Sequence, residues 1–272
     1  MATPLEIQLS SMETPIRSIY IYNGNGVFGE SVSKLTRLFS HVKGPWEIHE
    51  IEAKEVLPEN WNPRETLFIL PGGTASEYDI HLKEKIDAIK AFVEQGGFFL
   101  SVCGGSYFAS KRTVYQLTTQ ETLTKERSLS FFEGTAKGPL IPSNTDDISF
   151  HHGAVRVKWK KTDTTVPVLI SGGGAFVPDG TDPNYEILVS YHDRLIPKGL
   201  SAAVVKSYVG QGRAILSSLH LGYHASDIDV SVYEKYFPDH NWKQIHNDLQ
   251  GTETLRVQYF ANLLLAFSSS RA

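Results

Sequence analysis

Two short apolar runs, each followed by glycines, constrain the fold of this chain more than any other feature of its sequence. Thr66–Leu70 is almost continuously apolar and is followed by Pro71-Gly72-Gly73, and Phe98–Val102 ends just before a second glycine pair. Apolar side chains at successive positions are typical of a strand that is covered on both faces of its sheet. Helices on both sides of a parallel sheet provide that cover, so the runs predict an α/β fold with a mainly parallel sheet.

Strand and helix patterns alternate around these two runs in the first half of the chain. Ser18–Tyr22 and residues 46–51 predict further strands. Residues 30–39 and 82–95 carry apolar side chains at helical spacing. This alternation favours a sheet built of right-handed βαβ units.

The second half has a different pattern. Residues 113–145 are polar and interrupted by glycines and prolines, which predicts loops. Candidate strands separated by turns follow at 154–158, 168–171, 187–191, 202–208 and 213–218. They predict a mainly antiparallel β insertion, with the last strand a candidate to return to the main sheet. A final amphipathic helix is predicted at 252–267, and residues 1–15 predict a flexible tail before a single domain of residues 16–272.

Charge and cysteine content exclude several classes of function. The 272-residue chain has a net charge of −4, which argues against a surface for nucleic acid. Its single cysteine excludes an intramolecular disulfide framework and a multi-cysteine zinc site. No stretch approaches the roughly 20 apolar residues of a membrane helix, and the N-terminus lacks the pattern of a secretion signal, so a cytoplasmic location is expected. No cofactor motif is present, and no feature specifies an oligomeric state.

The single cysteine, Cys103, directly follows the second apolar run. Ser101 lies two positions before it and Gly105 two positions after it, which is the small-x-Cys-x-Gly pattern of a nucleophile elbow. Gly104 adds backbone freedom at the turn. The alternative is a buried structural cysteine before a glycine turn, because free cysteine is among the most buried residue types.

Two other segments are predicted to meet this cysteine at the carboxyl edge of the sheet, where ligands bind in open α/β folds. Gly72 and Gly73 end the first apolar run, and the N–H groups of Gly73 and Gly104 would form an oxyanion hole with two donors. His220 follows the last candidate strand and would deprotonate the thiol. The alternatives are an ordinary Pro-Gly-Gly turn and a hydrogen-bonded loop histidine, and His224 is close enough to compete for the role.

Six segments in a fixed order resemble the class I glutamine amidotransferase-like superfamily and, more narrowly, the N-terminal domain of eukaryotic-type biotin–protein ligases. The resemblance implies a three-layer, flavodoxin-like sandwich with a mainly parallel central sheet. It also puts Cys103 and His220 at the positions of the amidotransferase nucleophile and base. The segments are YNGNGV (22–27), LPGG (70–73), FVEQGG (92–97), CGGSYF (103–108), FEGTAKGP (132–139) and GGGAF (172–176).

The chain departs from the amidotransferase pattern at two positions. Leu221-Gly222 follows the histidine where the superfamily has the acid that orients the imidazole. Asp227 and Asp229, in the next loop, are candidates to replace it. Tyr107 stands four residues after the cysteine, where amidotransferases have a glutamine, which puts glutamine itself in doubt as the substrate.

Two further features carry weaker signals. Glu30 follows the glycine loop of the first strand, and the resemblance to PfpI-like relatives of this fold makes it a candidate carboxylate beside the cysteine. The alternative is a glutamate in the first turn of a helix, where the helix dipole favours it. The pair His151-His152 suggests metal binding, but adjacent residues point apart and no acidic or cysteine partner has ligand spacing, so no metal site is predicted.

These patterns predict a cysteine-dependent hydrolase or amidotransferase-like enzyme that acts on an amide or ester through a Cys-His pair. Its expected substrate is a small molecule or a peptide-like compound, with no role for nucleic acid or membranes. The alternative hypothesis is a non-catalytic ligand-binding or regulatory domain that keeps the fold without a full triad.

Overall fold

The computed structural model describes residues 7–9, 16–141, 152–180 and 184–269, which form strands and helices of a mixed α/β fold. The strands are β1 (Ile7–Gln8), β2 (Ser18–Tyr22), β3 (Val42–Lys43), β4 (Glu47–Ile51), β5 (Thr66–Leu70), β6 (Phe98–Val102), β7 (Ser110–Gln116), β8 (Thr122–Glu126), β9 (Phe132–Gly138), β10 (His152–Trp159), β11 (Thr165–Ser171), β12 (Ala175–Pro178), β13 (Tyr185–Tyr191), β14 (Ala202–Val209) and β15 (Gly212–Ser217). The α-helices are α1 (Ser31–His41), α2 (Ala75–His81), α3 (Ile86–Glu94), α4 (Gly104–Ala109), α5 (Val230–Tyr236), α6 (Trp242–Leu249) and α7 (Glu253–Ala266).

A nine-stranded sheet organises the fold, in the order β11-β10-β13-β14-β15-β6-β5-β2-β4. The five strands from β15 to β4 are parallel to one another. The predicted strands Ser18–Tyr22, Thr66–Leu70 and Phe98–Val102 have the bounds that their apolar patterns indicated. The mainly parallel sheet of the sequence prediction is therefore confirmed.

Apolar residues of the parallel strands pack on both faces of this sheet. In β5, Leu67 and Ile69 belong to one core cluster, and Phe68 and Leu70 belong to a second. Helices α1 and α7 contribute to the first cluster, and α3 and α4 contribute to the second. This double cover is the reason that β5 and β6 read as continuous apolar runs.

The second half of the chain extends the same sheet with antiparallel strands. β15 is parallel to β6 and antiparallel to β14, and β13, β10 and β11 follow by antiparallel pairing. The candidate strand at 213–218 therefore does return to the main sheet. The antiparallel strands continue the main sheet instead of forming a separate insertion.

A second sheet corrects the prediction of loops at 113–145. β7, β8 and β9 lie within or next to that segment and join β12 in the order β12-β9-β7-β8. In β9, residues of alternating positions are buried, as in a strand with one covered face. The loop prediction was wrong here because the segment forms strands although it contains glycines and prolines, which are typical of turns. Residues 142–151 lie outside the described part of the chain.

Three other local differences concern the helices and the N-terminus. The predicted helix at 82–95 is a single turn of 3-10 helix followed by α3. The sequence prediction missed α5 and α6. Trp242 and Leu249 of α6 are buried in a third apolar cluster, and Tyr233 of α5 packs against it. Within the predicted tail, β1 pairs in parallel with β3 and Leu9 is buried, while residues 1–6 and 10–15 are outside the described ranges. Among the described helices, none has the length and apolarity required to cross a membrane.

Candidate active site

Cys103 occupies a strained turn between β6 and α4. Its backbone angles are φ 47° and ψ −110°, a combination that residues with a Cβ atom rarely adopt. The residue is 6% exposed. The turn directs the side chain into a pocket of about 290 Å³ instead of into the sheet core.

The glycines around this turn allow two backbone segments to approach closely. A Cβ atom on Gly104 would lie 1.7 Å from the carbonyl oxygen of Gly73, and one on Gly105 would lie 2.4 Å from the carbonyl oxygen of Leu70. Any side chain at either glycine would force the strand ends apart. Within the described residues, the N–H of Gly73 hydrogen-bonds to no acceptor, and the N–H of Gly104 bonds only to the Cys103 sulfur. The pocket therefore has two peptide donors beside one thiol.

His220 follows β15, and both it and Cys103 lie close to Gly72. A Cβ atom placed on Gly72 would be 3.3 Å from Cε1 of His220 and 3.8 Å from Cβ of Cys103. The Cys103 thiol donates a hydrogen bond to the carbonyl of Ser171 at 3.4 Å. The imidazole also hydrogen-bonds to the Ser171 backbone, and its Nε2 atom is buried with no partner in the described residues. The two side chains thus share one carbonyl, and no direct thiol–imidazole hydrogen bond occurs.

Burial keeps both side chains neutral near pH 7. Desolvation raises the pKa of the Cys103 thiol to about 12, although the N–H of Gly104 acts in the opposite direction. Desolvation also lowers the pKa of His220 to about 4, opposed by its bond to the Ser171 backbone. The structure therefore contains a thiol beside a neutral imidazole and not a thiolate–imidazolium pair.

Tyr107, four residues after the cysteine, fixes the loop that follows β11. Its hydroxyl donates to the carbonyl of Gly172 at 3.0 Å, and its ring packs edge-on against Tyr115 with centroids 5.4 Å apart. Tyr191 supports the same loop by donating to the carbonyl of Gly174 at 2.8 Å. Sequence reasoning did not assign a site role to Ser171 or Tyr191. The sequence signal for this part of the site was the run Gly172–Gly174 directly after the candidate strand at 168–171.

The structure does not bring the candidate carboxylates to the thiol or the imidazole. Glu30 is 59% exposed in its side chain and pairs with Lys34 at 3.5 Å. Asp227 binds Lys34 at 2.9 Å and also binds Arg37. Asp229 caps the N-terminus of α5 by accepting from two backbone N–H groups. These carboxylates have other structural partners, and none hydrogen-bonds to the thiol or the imidazole.

His224, the competing histidine, does not line the pocket at the cysteine. Its backbone N–H donates to Asp227 at 2.7 Å, and desolvation lowers its pKa. His152 packs against the rings of His240 and Trp242, whereas His151 is outside the described residues. Among the described residues, no group of three or more His, Cys, Asp or Glu side chains has an arrangement that would hold a metal ion.

The pocket at the cysteine combines apolar and aromatic walls with few polar groups, as small-molecule sites do. Among the described residues, its lining includes one charged side chain, Arg127, which no sequence motif marked as a site residue. A much smaller cavity of about 30 Å³ is lined by His220, which is not among the residues that line the main pocket. The remaining lining residues of the main pocket are Phe28, Gly73, Thr74, Ala75, Ser76, Cys103, Gly104, Tyr107, Thr113, Tyr115, Leu117, Leu123, Ser171 and Gly172.

Residues 17–269 match the family model described as "Biotin-protein ligase, N terminal". The chain belongs to this family. The resemblance to the N-terminal domain of biotin–protein ligases is therefore confirmed.

Relatives of the family include the biotin–protein ligase of Schizosaccharomyces pombe. It is 27% identical over 216 residues, which cover 76% of this chain and 34% of the ligase. The chain thus spans about a third of that relative. An uncharacterized protein of Chlamydia muridarum is 24% identical over 215 residues, which cover 76% of this chain and 81% of that protein.

Solved structures of other proteins share the fold of this chain at low sequence identity. A glutamine amidotransferase from Thermotoga maritima aligns with a TM-score of 0.57 and 13% identity, covering 93% of this chain and 99% of the other. PurLQS from the same organism aligns with a TM-score of 0.54 and 14% identity, covering 92% and 99%. These similarities show an amidotransferase-like fold.

Proposed function

We propose that Cys103 is the nucleophile of an acyl-transfer enzyme that hydrolyses an amide or ester of a small-molecule or peptide-like substrate. One observation supports this above the others: a non-glycine residue in a strained conformation faces a pocket beside two peptide N–H donors. Such strain persists where the surrounding structure enforces it, and it is concentrated at active sites. The strand order β4-β2-β5-β6-β15 further supports the flavodoxin-like arrangement, in which ligands bind beyond the carboxyl ends of the strands.

The proposed reaction begins when a substrate carbonyl displaces the hydrogen bond between the thiol and Ser171. The sulfur of Cys103 forms a bond to the carbonyl carbon, and its proton passes to His220, whose Nε2 has no other partner. The N–H groups of Gly73 and Gly104 stabilise the oxyanion, each by about 3 kcal/mol. The imidazolium then protonates the departing amine or alcohol. Water attacks the thioester, and this releases the acid and restores the thiol.

Turnover of a panel of chromogenic esters and anilides tests the proposal. We expect Cys103→Ser to abolish cysteine-dependent hydrolysis and His220→Gln to reduce kcat roughly 100-fold or more, because proton transfer to a positioned base contributes about that factor. His224→Gln is the matched control, since this histidine lacks the contact with the Ser171 backbone that His220 makes, and it should retain full activity. Equal turnover by the Cys103→Ser variant would refute the proposal.

A second candidate function, non-catalytic ligand binding or regulation, is favoured by the neutral state of both side chains. A thiol with a pKa of about 12 and an imidazole with a pKa of about 4 have little tendency to exchange a proton without a substrate. In this candidate, a pocket ligand raises the melting temperature of the Cys103→Ala variant as much as that of the unsubstituted protein, and no substrate turns over. Cysteine-dependent turnover would reject it.

A further inference from the structure

Arg127 is a buried cation with incomplete hydrogen bonding at the pocket of Cys103. Its side chain is 1% exposed. Its Nε donates to the hydroxyl of Thr113 at 3.0 Å, and its Nη1 donates to the carbonyl of Ala75 at 3.3 Å and to the carboxylate of Asp79. Its Nη2 makes no hydrogen bond to any residue in the described part of the chain. A guanidinium has five donors, so this one retains capacity for a ligand.

The charges around Arg127 do not balance. Asp79 also forms an ion pair with Lys125 at 2.7 Å, so the cations of Arg127 and Lys125 share one carboxylate. No acidic side chain is among the described residues that line the pocket. Desolvation lowers the pKa of Arg127 and Asp79 opposes this effect, yet an arginine in a protein keeps its charge. A buried charge without full compensation is costly, and an anion in the pocket would reduce that cost.

Thr113 connects this cation to the segment that carries the thiol. Its hydroxyl accepts a hydrogen bond from Arg127 and donates one to the carbonyl of Tyr107 at 3.0 Å. Tyr107 lies in helix α4, which begins directly after Cys103. The guanidinium is therefore held in a fixed relation to the elbow. The walls around it include the apolar side chains of Leu117 and Leu123.

We propose that the pocket selects small ligands with a carboxylate or another singly charged anionic group attached to a short apolar body, and that Arg127 binds the anionic group. This inference rests on the proposed function in that it assigns a substrate class to the same pocket. The competing explanation is structural: Arg127 fastens α2, which carries Asp79, to the second sheet through β7.

Protection of Cys103 from alkylation tests the inference without requiring any turnover. The chain has one cysteine, so mass spectrometry reports the rate of modification by iodoacetamide at pH 9 directly. The probes are hexanoate and hexanamide, which have the same length and differ in charge, at constant ionic strength. We expect hexanoate to protect at a concentration about tenfold lower than hexanamide, the ratio given by about 1.4 kcal/mol of charge-assisted hydrogen bonding.

Variants separate ligand binding from a structural role. Arg127→Met should abolish the preference for hexanoate, whereas Arg112→Gln should retain it, because Arg112 pairs with Glu126 at 2.6 Å outside the pocket lining. Equal protection by both probes in the unsubstituted protein overturns the inference, as does a folded Arg127→Met variant that still prefers hexanoate. If Arg127→Met fails to fold, Arg127→Lys should weaken the preference, and an unchanged preference in that variant counts against the inference. If hexanoate protects Cys103 in an Arg127-dependent way but no ester or anilide of the panel is hydrolysed, the proposed enzymatic activity is rejected and the anion site is retained.

Discussion

The strain at Cys103 predicts an inverted order of stability between two small substitutions. Glycine ordinarily destabilises a folded protein by roughly 0.5–1 kcal/mol relative to alanine, because it loses more backbone entropy on folding. At Cys103 the backbone angles are φ 47° and ψ −110°, and a residue with a Cβ atom in such a region is strained by about 2 kcal/mol. Both Cys103→Ala and Cys103→Gly remove the thiol. The difference between them therefore isolates the strain, and the glycine variant should be more stable by about 1 kcal/mol.

Urea unfolding of the two variants at pH 7 measures this difference directly. The matched control is Ala91→Gly in α3, where the backbone is helical and glycine should cost about 1 kcal/mol. Opposite signs at the two positions would establish that the elbow is strained. A Cys103→Ala variant as stable as Cys103→Gly, with the expected loss at Ala91, would refute the reasoning.

Three further predictions concern pH. Because burial raises the pKa of Cys103 to about 12, alkylation by iodoacetamide should accelerate about tenfold per unit between pH 7 and pH 10, and a plateau near pH 8.5 would contradict this. Burial lowers the pKa of His220 to about 4 from 6.5, so the unfolded chain binds more protons between these values. As the pH falls from 6.5 to 4, the free energy of unfolding of the unsubstituted protein should decrease by about 3 kcal/mol more than that of His220→Gln. Parallel curves of stability against pH for the two proteins would disprove this. Burial alone would raise the pKa of Asp227, but its bonds to Arg37 and Lys34 hold that pKa below its usual range. Asp227→Asn should therefore destabilise the protein by about 2 kcal/mol at pH 7, and this loss should shrink as the pH falls below about 4. A loss of stability in urea unfolding that does not change with pH would contradict the ion pairs.

The parallel strands were predictable from the sequence because their signal is local. β5 and β6 are apolar at successive positions, and each is followed by a glycine pair where the chain leaves the sheet. Parallel pairing of these strands then brings Gly73, Cys103 and His220 to the carboxyl edge of the sheet. The order of these segments also carried the family resemblance that the family model confirms.

The detailed contacts of the site were not predictable in the same way. Ser171 ends β11, at the far edge of the nine-stranded sheet, yet its carbonyl binds both the thiol and the imidazole. β11 reaches His220 through a bridge between Leu169 and His220, a long-range contact that no local pattern specifies. Arg127 follows β8, in a segment whose glycines, prolines and polar residues predicted loops, so the second sheet and its buried cation were missed together.

A crystal structure of the protein treated with hexanal tests the central claim most directly. A thiol adds to an aldehyde to give a thiohemiacetal, whose oxygen occupies the position of the oxyanion. We expect an adduct on Cys103 with this oxygen about 2.7–3.1 Å from the peptide nitrogens of Gly73 and Gly104. An unmodified cysteine at saturating aldehyde, or an adduct whose oxygen is directed away from both nitrogens, would contradict it.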